Sequence, residues 1–110
     1  MDAWHFWDLP NIHEHLTAHV DRLVGIQVSD YREPTRGWCD RVLPGEGVID
    51  LASFFSTLTK AGYKGWYDVE VFSDNGLFGT DYSDSIWHRS AVDVSQQAVS
   101  SVRMLWEQNQ

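Results

Sequence analysis

The sequence predicts an α/β fold, a parallel sheet whose strands are joined by helices and whose carboxyl edge carries a site. Three stretches predict it. Lys64-Gly65-Trp66-Tyr67-Asp68-Val69-Glu70-Val71-Phe72-Ser73 is an apolar run with a carboxylate in its second half, and its aromatic and β-branched residues read as a buried strand. Leu23-Val24-Gly25-Ile26-Gln27-Val28-Ser29-Asp30 repeats the design, and Asp2-Ala3-Trp4-His5 reads as the end of a third strand. Helical segments separate the three, and such alternation marks parallel sheets, whose ligand sites gather where the strands end. An unpaired Glu inside an apolar strand is costly, so Glu70 is expected to have a partner.

In chain order, Ile12, Leu16, Val20 and Leu23 fall at helical spacing behind Pro10-Asn11, predicting a helix from about Asn11 to Arg22. His15 and His19 on it have the i, i+4 spacing a metal can bridge, but with no third ligand nearby a solvated helix face is the better reading. A strand from about Leu23 to Ser29 follows, then a long polar loop, Asp30 to Gly47, carrying Pro34, Gly37, Pro44, Gly45 and Gly47. Loops of that length in small domains are usually functional or disordered, and Trp38 tips this one toward function. Asp50 caps a second helix with Leu51, Phe54, Phe55, Leu58 and Ala61 on one face, and Gly62 stops it. The Glu70 strand comes next, then a loop from Asp74 to Ser90, and a last helix from about Ala91 to Glu107 with Val94, Ala98, Val102 and Leu105 as its buried stripe.

The chain has 110 residues, 43% of them hydrophobic, the length of one small domain, here taken as a single unit over 1–110. No apolar run is long enough to span a bilayer and no signal-peptide pattern opens the chain, so it reads as soluble. Sixteen acids against 8 Lys and Arg give a net charge of −8 without a basic cluster, which disfavours a nucleic-acid partner. The single Cys39 excludes an internal disulfide and a multi-cysteine zinc site, and fits a reducing, cytoplasmic setting. Parallel sheets are covered on both faces, yet only two full strands and one strand end are present, too few to close a barrel of about 250 residues. The expectation is a partial barrel that self-associates or pairs with a complementing barrel segment.

The residues resemble a known family. Asp2-Ala3-Trp4-His5, Gln27-Val28-Ser29-Asp30, the run Asp40-Arg41-Val42-Leu43-Pro44-Gly45-Glu46-Gly47-Val48-Ile49-Asp50, and Ala61-Gly62-Tyr63-Lys64-Gly65 leading to Val69-Glu70 are similar to the C-terminal portion of the xylose isomerase-like TIM barrels. That superfamily includes sugar phosphate isomerases and epimerases, hydroxypyruvate isomerase, inosose dehydratase and endonuclease IV. The resemblance extends from Asp2 to Trp106 and implies a partial (β/α)8 barrel, about the last three βα units, from the end of strand 6 to helix 8. It implies a divalent-metal-dependent sugar or sugar phosphate isomerase or epimerase working through an enediolate, inactive alone because one metal-binding Glu of the family has no counterpart here. An inosose dehydratase-like lyase, a non-catalytic barrel remnant and a sugar-binding partner are the alternatives. The endonuclease branch is disfavoured by the negative charge.

By that resemblance Asp2, Gln27 and Glu70 are metal ligands, and Glu70 is also the proton-transfer base. Most relatives carry His where Gln27 stands. A neutral amide oxygen favours Mg²⁺ or Mn²⁺, with Co²⁺ or Zn²⁺ also admitted. His5 and Arg41 are expected at the substrate oxygens, and Trp38 and Trp87 are the loop tryptophans placed to wall a sugar pocket. From the residues alone, the other reading of Glu70 is a salt bridge to Arg41 or Arg32, which a buried strand carboxylate favours less than a metal, while Asp2 is an exposed terminal residue, Gln27 an ordinary strand residue, His5 a packed ring beside Trp4 and Phe6, and Arg41 a solvated loop cation.

Overall fold

The computed structural model describes residues 1–108. Its elements are α1 (Ala3–Phe6), α2 (Ile12–Ala18), β1 (Gly25–Val28), β2 (Asp30–Tyr31), β3 (Arg41–Val42), α3 (Leu51–Ala61), β4 (Trp66–Val69) and α4 (Ala91–Glu107), with 3-10 turns at Val20–Arg22 and Ile86–His88.

Strands β1 and β4 pair in parallel, Gly25 opposite Trp66 and Val28 opposite Val69. On the other side of β1, Asp2 forms a parallel bridge to Gln27, the Gln27 N–H donates to the Met1 carbonyl at 2.7 Å, and the Met1 ammonium donates to the Gly25 carbonyl at 2.8 Å. The Met1-Asp2 segment, β1 and β4 therefore lie side by side in chain order. Alternation along β1 sends Ile26 and Val28 to one face, where they are buried with Ile12 and Leu16 of α2 and Leu51, Phe54, Phe55 and Leu58 of α3. Val102, Leu105 and Trp106 of α4 pack on the same cluster. Gly25, Gln27, Trp66 and Asp68 take the opposite face by the same alternation.

The helix signals act as their chemistry dictates. The Asp50 carboxylate accepts the Ser53 N–H at 3.0 Å, and Gly62 adopts φ +87° so that its N–H reaches the Leu58 and Thr59 carbonyls. Ser90 caps α4 by accepting from the Asp93 N–H. Of the expected α4 stripe only Ala98 is fully buried; Val94, Val102 and Leu105 are half-buried.

Four expectations are corrected. The helix from Asn11 ends at Ala18 and tightens into the 3-10 turn before β1, and the strand expected over 23–29 is shortened to 25–28. The expected loop 30–47 contains β2 and β3, which pair antiparallel with Asp30 opposite Val42 and Tyr31 opposite Arg41. The Glu70 strand is not buried: it ends at Val69, with Trp66 57% and Val69 39% exposed. A parallel strand is buried only when flanked on both edges and covered on both faces, and among the described residues β4 has β1 on one edge and helices over one face. No helix among the described residues is long and apolar enough to cross a membrane.

Candidate functional site

At the carboxyl edge of the sheet the chain builds a buried ion pair. Asp2 leaves its bridge with β1 in an extended conformation and caps α1, its Oδ1 accepting the Trp4 N–H at 3.0 Å. Its Oδ2 accepts from Arg41 Nη1 at 2.8 Å, and both side chains are almost wholly removed from solvent. Arg41 arrives from β3, anchored where its N–H donates to the Phe72 carbonyl at 2.9 Å. The same Nη1 donates to Ser29 Oγ at 3.3 Å, and Nη2 lies 3.4 Å from His5 Nε2. A guanidinium can only donate, so this imidazole nitrogen is the acceptor. Rings of Trp4 and Phe72 lie 4.8 and 4.7 Å from the guanidinium carbon, a cation–π arrangement on two sides. Thus Asp2, His5 and Arg41 come together, and Asp2 and Arg41 are neither exposed nor solvated as a terminal Asp and a loop Arg would be.

Gln27 and Glu70 share the sheet face that turns away from the helices. Gln27 lies beside Asp2 and opposite Asp68. The Glu70 N–H donates to the Val28 carbonyl at 3.0 Å, so the ladder continues one step past β4 and sets Glu70 opposite Ser29. Among the described residues neither the Gln27 amide nor the Glu70 carboxylate makes a side-chain hydrogen bond or ion pair, although both are half-buried. The two arginines weighed as Glu70 partners are engaged elsewhere: Arg41 by Asp2, and Arg32 by Asp40 and Asp84. Three oxygen donors on neighbouring strand ends, two of them without partners, suit a hard divalent cation, and Asp2 keeps lone pairs beyond those Trp4 and Arg41 use. Among the described residues no three His, Cys, Asp or Glu side chains form a metal-binding group by themselves, so this donor set is an incomplete one that includes an amide.

The two long loops form the wall above this edge. Trp38, 56% exposed, meets Phe72 and Phe78 edge-on at 5.9 and 5.3 Å, and Phe72 in turn covers Arg41. Trp87 instead donates its Nε1–H to the Ser73 carbonyl at 2.7 Å and ties the far end of the second loop back to its start. His15 and His19 are exposed and stacked at 6.5 Å, away from the site on α2 and the turn that follows it.

Sequence reasoning missed three supporting residues. Ser29 is fully buried between Arg41 and the Glu70 strand. Asp30, also fully buried, accepts the N–H groups of Tyr31, Gly45 and Ile49 at 2.9 Å each, which folds the segment after β3 around it. Asp40 accepts from Arg32 Nε at 3.1 Å and from Arg36 N–H, Nε and Nη2 at 2.9, 2.8 and 2.6 Å, while Arg36 Nη2 also donates to Asp84 at 3.0 Å. Burial pushes the Asp40 pKa up, but the hydrogen bonds from Arg36 outweigh it and hold the carboxyl below its usual range. Arg36 bonding does the same for Asp84. The detectable signal was the run of alternating acids and arginines, Asp30, Arg32, Glu33, Arg36, Asp40 and Arg41; the pairing itself is a tertiary fact.

The sequence comparison decides what these elements belong to: residues 1–104 match the Xylose isomerase-like TIM barrel family. The chain belongs to the xylose isomerase-like TIM barrel family. It carries part of the barrel, as solved structures of this fold make plain. A crystal structure of a protein from Sinorhizobium meliloti 1021 superposes with a TM-score of 0.76 at 27% identity, covering 94% of this chain and 36% of that one. The IOLI protein with a bound zinc atom superposes at 0.77 with 22% identity over 100% of this chain and 37% of that one, a likeness of fold. Among curated relatives, L-ribulose-5-phosphate 3-epimerase of Salmonella paratyphi C is 35% identical over 68 residues, 62% of this chain and 22% of that protein. Inosose dehydratase of Bacillus licheniformis is 32% identical over 73 residues, 54% of this chain and 24% of that protein. The chain therefore spans about a quarter of the length of the curated relatives it matches. The sugar epimerase and isomerase superfamily is its setting.

Proposed function

We propose that this chain carries one side of the active site of a sugar or sugar phosphate isomerase or epimerase. The observation that carries the reading is the meeting of the Asp2–Arg41–His5 cluster with Gln27 and Glu70, neither of which has a side-chain partner among the described residues, at one sheet edge. Asp2, Gln27 and Glu70 are the residues that would hold a divalent cation, Mg²⁺ or Mn²⁺ before Co²⁺ or Zn²⁺. When bound, such an ion polarises a substrate carbonyl and lowers the energy of the enediolate.

The chain's own groups supply the rest. Glu70, a carboxylate at the end of β4, takes the proton from the carbon next to the carbonyl; the C–H electron pair shifts into the carbon–carbon bond and the carbonyl oxygen becomes anionic. Returning the proton to the neighbouring carbon isomerises the sugar, and returning it to the opposite face epimerises it. The second step on the opposite face requires another carboxylate from the wider barrel. Arg41, fixed by Asp2 and Ser29 and buried between Trp4 and Phe72, holds Asp2 and His5 in place and adds positive charge beneath the edge, while the exposed His5 ring meets oxygens of the sugar. Trp38 and Phe72 give the sugar ring an apolar wall. Loss of a hydroxyl next to the enediolate in place of reprotonation gives the dehydratase alternative, and the inosose dehydratase relative favours keeping it.

With only part of the ligand set, the 110-residue chain alone is proposed to bind divalent metal weakly, to show no isomerase turnover, and to self-associate or take up a complementing barrel segment. Paramagnetic NMR tests the site: Mn²⁺ is expected to broaden resonances of Asp2, Gln27 and Glu70 first. Broadening centred on His15 and His19 instead would move the metal to α2 and end the reading.

A further inference from the structure

We infer that the substrate taken at this edge is an uncharged sugar or cyclic polyol rather than a sugar phosphate, an inference that rests on the reading above and narrows its substrate class. The two kinds of relative differ on this point, one named for a phosphorylated pentulose and one for an inosose. A phosphate dianion is held by guanidinium or ammonium groups, by clustered backbone N–H groups, or by both. At this edge three of the four arginines and both loop clusters of backbone N–H groups are already taken by carboxylates of the chain itself.

The cations come first. Of the eight Lys and Arg, Arg22 and Lys64 lie just ahead of β1 and β4, at the amino edge of the sheet, and Lys60 and Arg103 lie on α3 and α4. The carboxyl edge has Arg32, Arg36 and Arg41 in its first loop and Arg89 ahead of α4. Arg41 is paired to Asp2, and Arg32 and Arg36 share Asp40 and Asp84, two positive charges against two negative. Arg89 is drawn back on to α4 by the Gln97 amide, which itself donates to Glu46. Glu70 and Asp68 add two carboxylates to the same sheet face.

The backbone donors follow the same pattern. The N–H groups of Gly76, Phe78 and Thr80, gathered in the second loop, all donate to the buried Asp74 carboxylate at 2.9 to 3.0 Å. Those of Tyr31, Gly45 and Ile49 donate to Asp30. Ser90 caps the start of α4. A phosphate arriving here meets three arginines already paired with carboxylates, loop nests already filled and two further carboxylates, with Arg89 alone outside that pairing and held by Gln97, whereas the hydroxyls of a neutral sugar meet the exposed His5, oxygen acceptors and the Trp38–Phe72 wall. Like charges brought together across a contact discriminate strongly against the wrong ligand.

The test is NMR titration of the full chain with D-fructose, D-fructose 6-phosphate and inorganic phosphate, with and without added Mg²⁺, following the Arg41, His5 and Glu70 resonances. The expected result is that D-fructose shifts them and that its 6-phosphate binds about tenfold or more weaker, since a tenfold change is a modest share of what a like-charge contact costs. A second arm asks whether the internal carboxylates are the cause. Asp84, half exposed at the rim of the ion network, is changed by Asp84→Asn, which leaves Arg36 partly unneutralised and is expected to raise affinity for the 6-phosphate several-fold while D-fructose binding stays put. Tighter binding of the 6-phosphate by the unaltered chain overturns the inference while leaving the site in place. Binding of neither sugar at these residues overturns the site assignment and the inference with it.

Discussion

Replacing Arg41 by Met should be among the most destabilising single changes this chain can suffer. The substitution keeps a long side chain between Trp4 and Phe72 but removes the charge, leaving Asp2 with its Oδ2 unpaired in a place that is 9% exposed. Because Arg41 itself is 4% exposed, solvent screening gives little relief, and breaking a buried pair from one side costs about 3–5 kcal/mol. At about 4 °C per kcal/mol for a chain of this size, the melting point should fall by roughly 12–20 °C. Asp2→Asn removes the complementary charge while its side-chain oxygen can still cap Trp4, so it should cost less. In the double variant no charge is stranded, and its cost should fall short of the sum of the two single costs by at least about 1 kcal/mol, beyond the roughly 0.5 kcal/mol scatter of independent sites. Urea unfolding followed by fluorescence of the six tryptophans reads all four proteins. Strict additivity, or a cost for Arg41→Met under about 1 kcal/mol, would show that the pair is not formed and that Arg41 is a solvated loop cation.

Three further outcomes follow from the geometry. Gly47→Ala should destabilise by about 1–3 kcal/mol, because a Cβ there runs into the Tyr31 carbonyl oxygen and the Asp30 carboxylate, and calorimetric melting checks it. Stability should decline as pH falls below about 5, because the folded pKa values of Asp40 and Asp84 lie below their unfolded values: their contribution is complete above the unfolded pKa and drains as pH drops through the folded one. Asp40→Asn should lower stability at neutral pH and flatten that acid limb, as read by melting points across pH. The open edge of β4, with Trp66, Val69 and the Val99–Val102 side of α4 beside it, should exchange its amide protons early and drive self-association, so light scattering should report species above the monomer mass. A monodisperse monomer with every strand amide protected would count against an open sheet.

Where local chemistry decides a feature, the sequence carried it. Asp50 and Gly62 mark the ends of α3 because a carboxylate cap and a left-handed glycine act within one turn. The two apolar runs pair in parallel, in chain order, because helices of the right length separate them. Legibility stops where the outcome depends on residues far apart. The apolar composition of β4 reads as buried, but its exposure is set by which strands flank it. Loop 30–47 reads as irregular because β2 and β3 are two residues each, too short for any periodicity, and their pairing is held by Asp30 and Asp40 through bonds that span the loop. Asp2, His5 and Arg41 could be named as candidates from their motifs, yet their meeting depends on β3 bridging to the segment after β4 through Asp40 and Ser73. Ser29 carried no signal of its own.

Asp2, Gln27 and Glu70 are proposed to form one cation-binding edge of a sugar isomerase site. Calorimetric titration of the chain with Mn²⁺, beside its Glu70→Gln variant, probes that edge. One weak site in the parent chain, weakened about tenfold or more when the Glu70 charge is removed, is the predicted result. Equal affinity in the two proteins would contradict it.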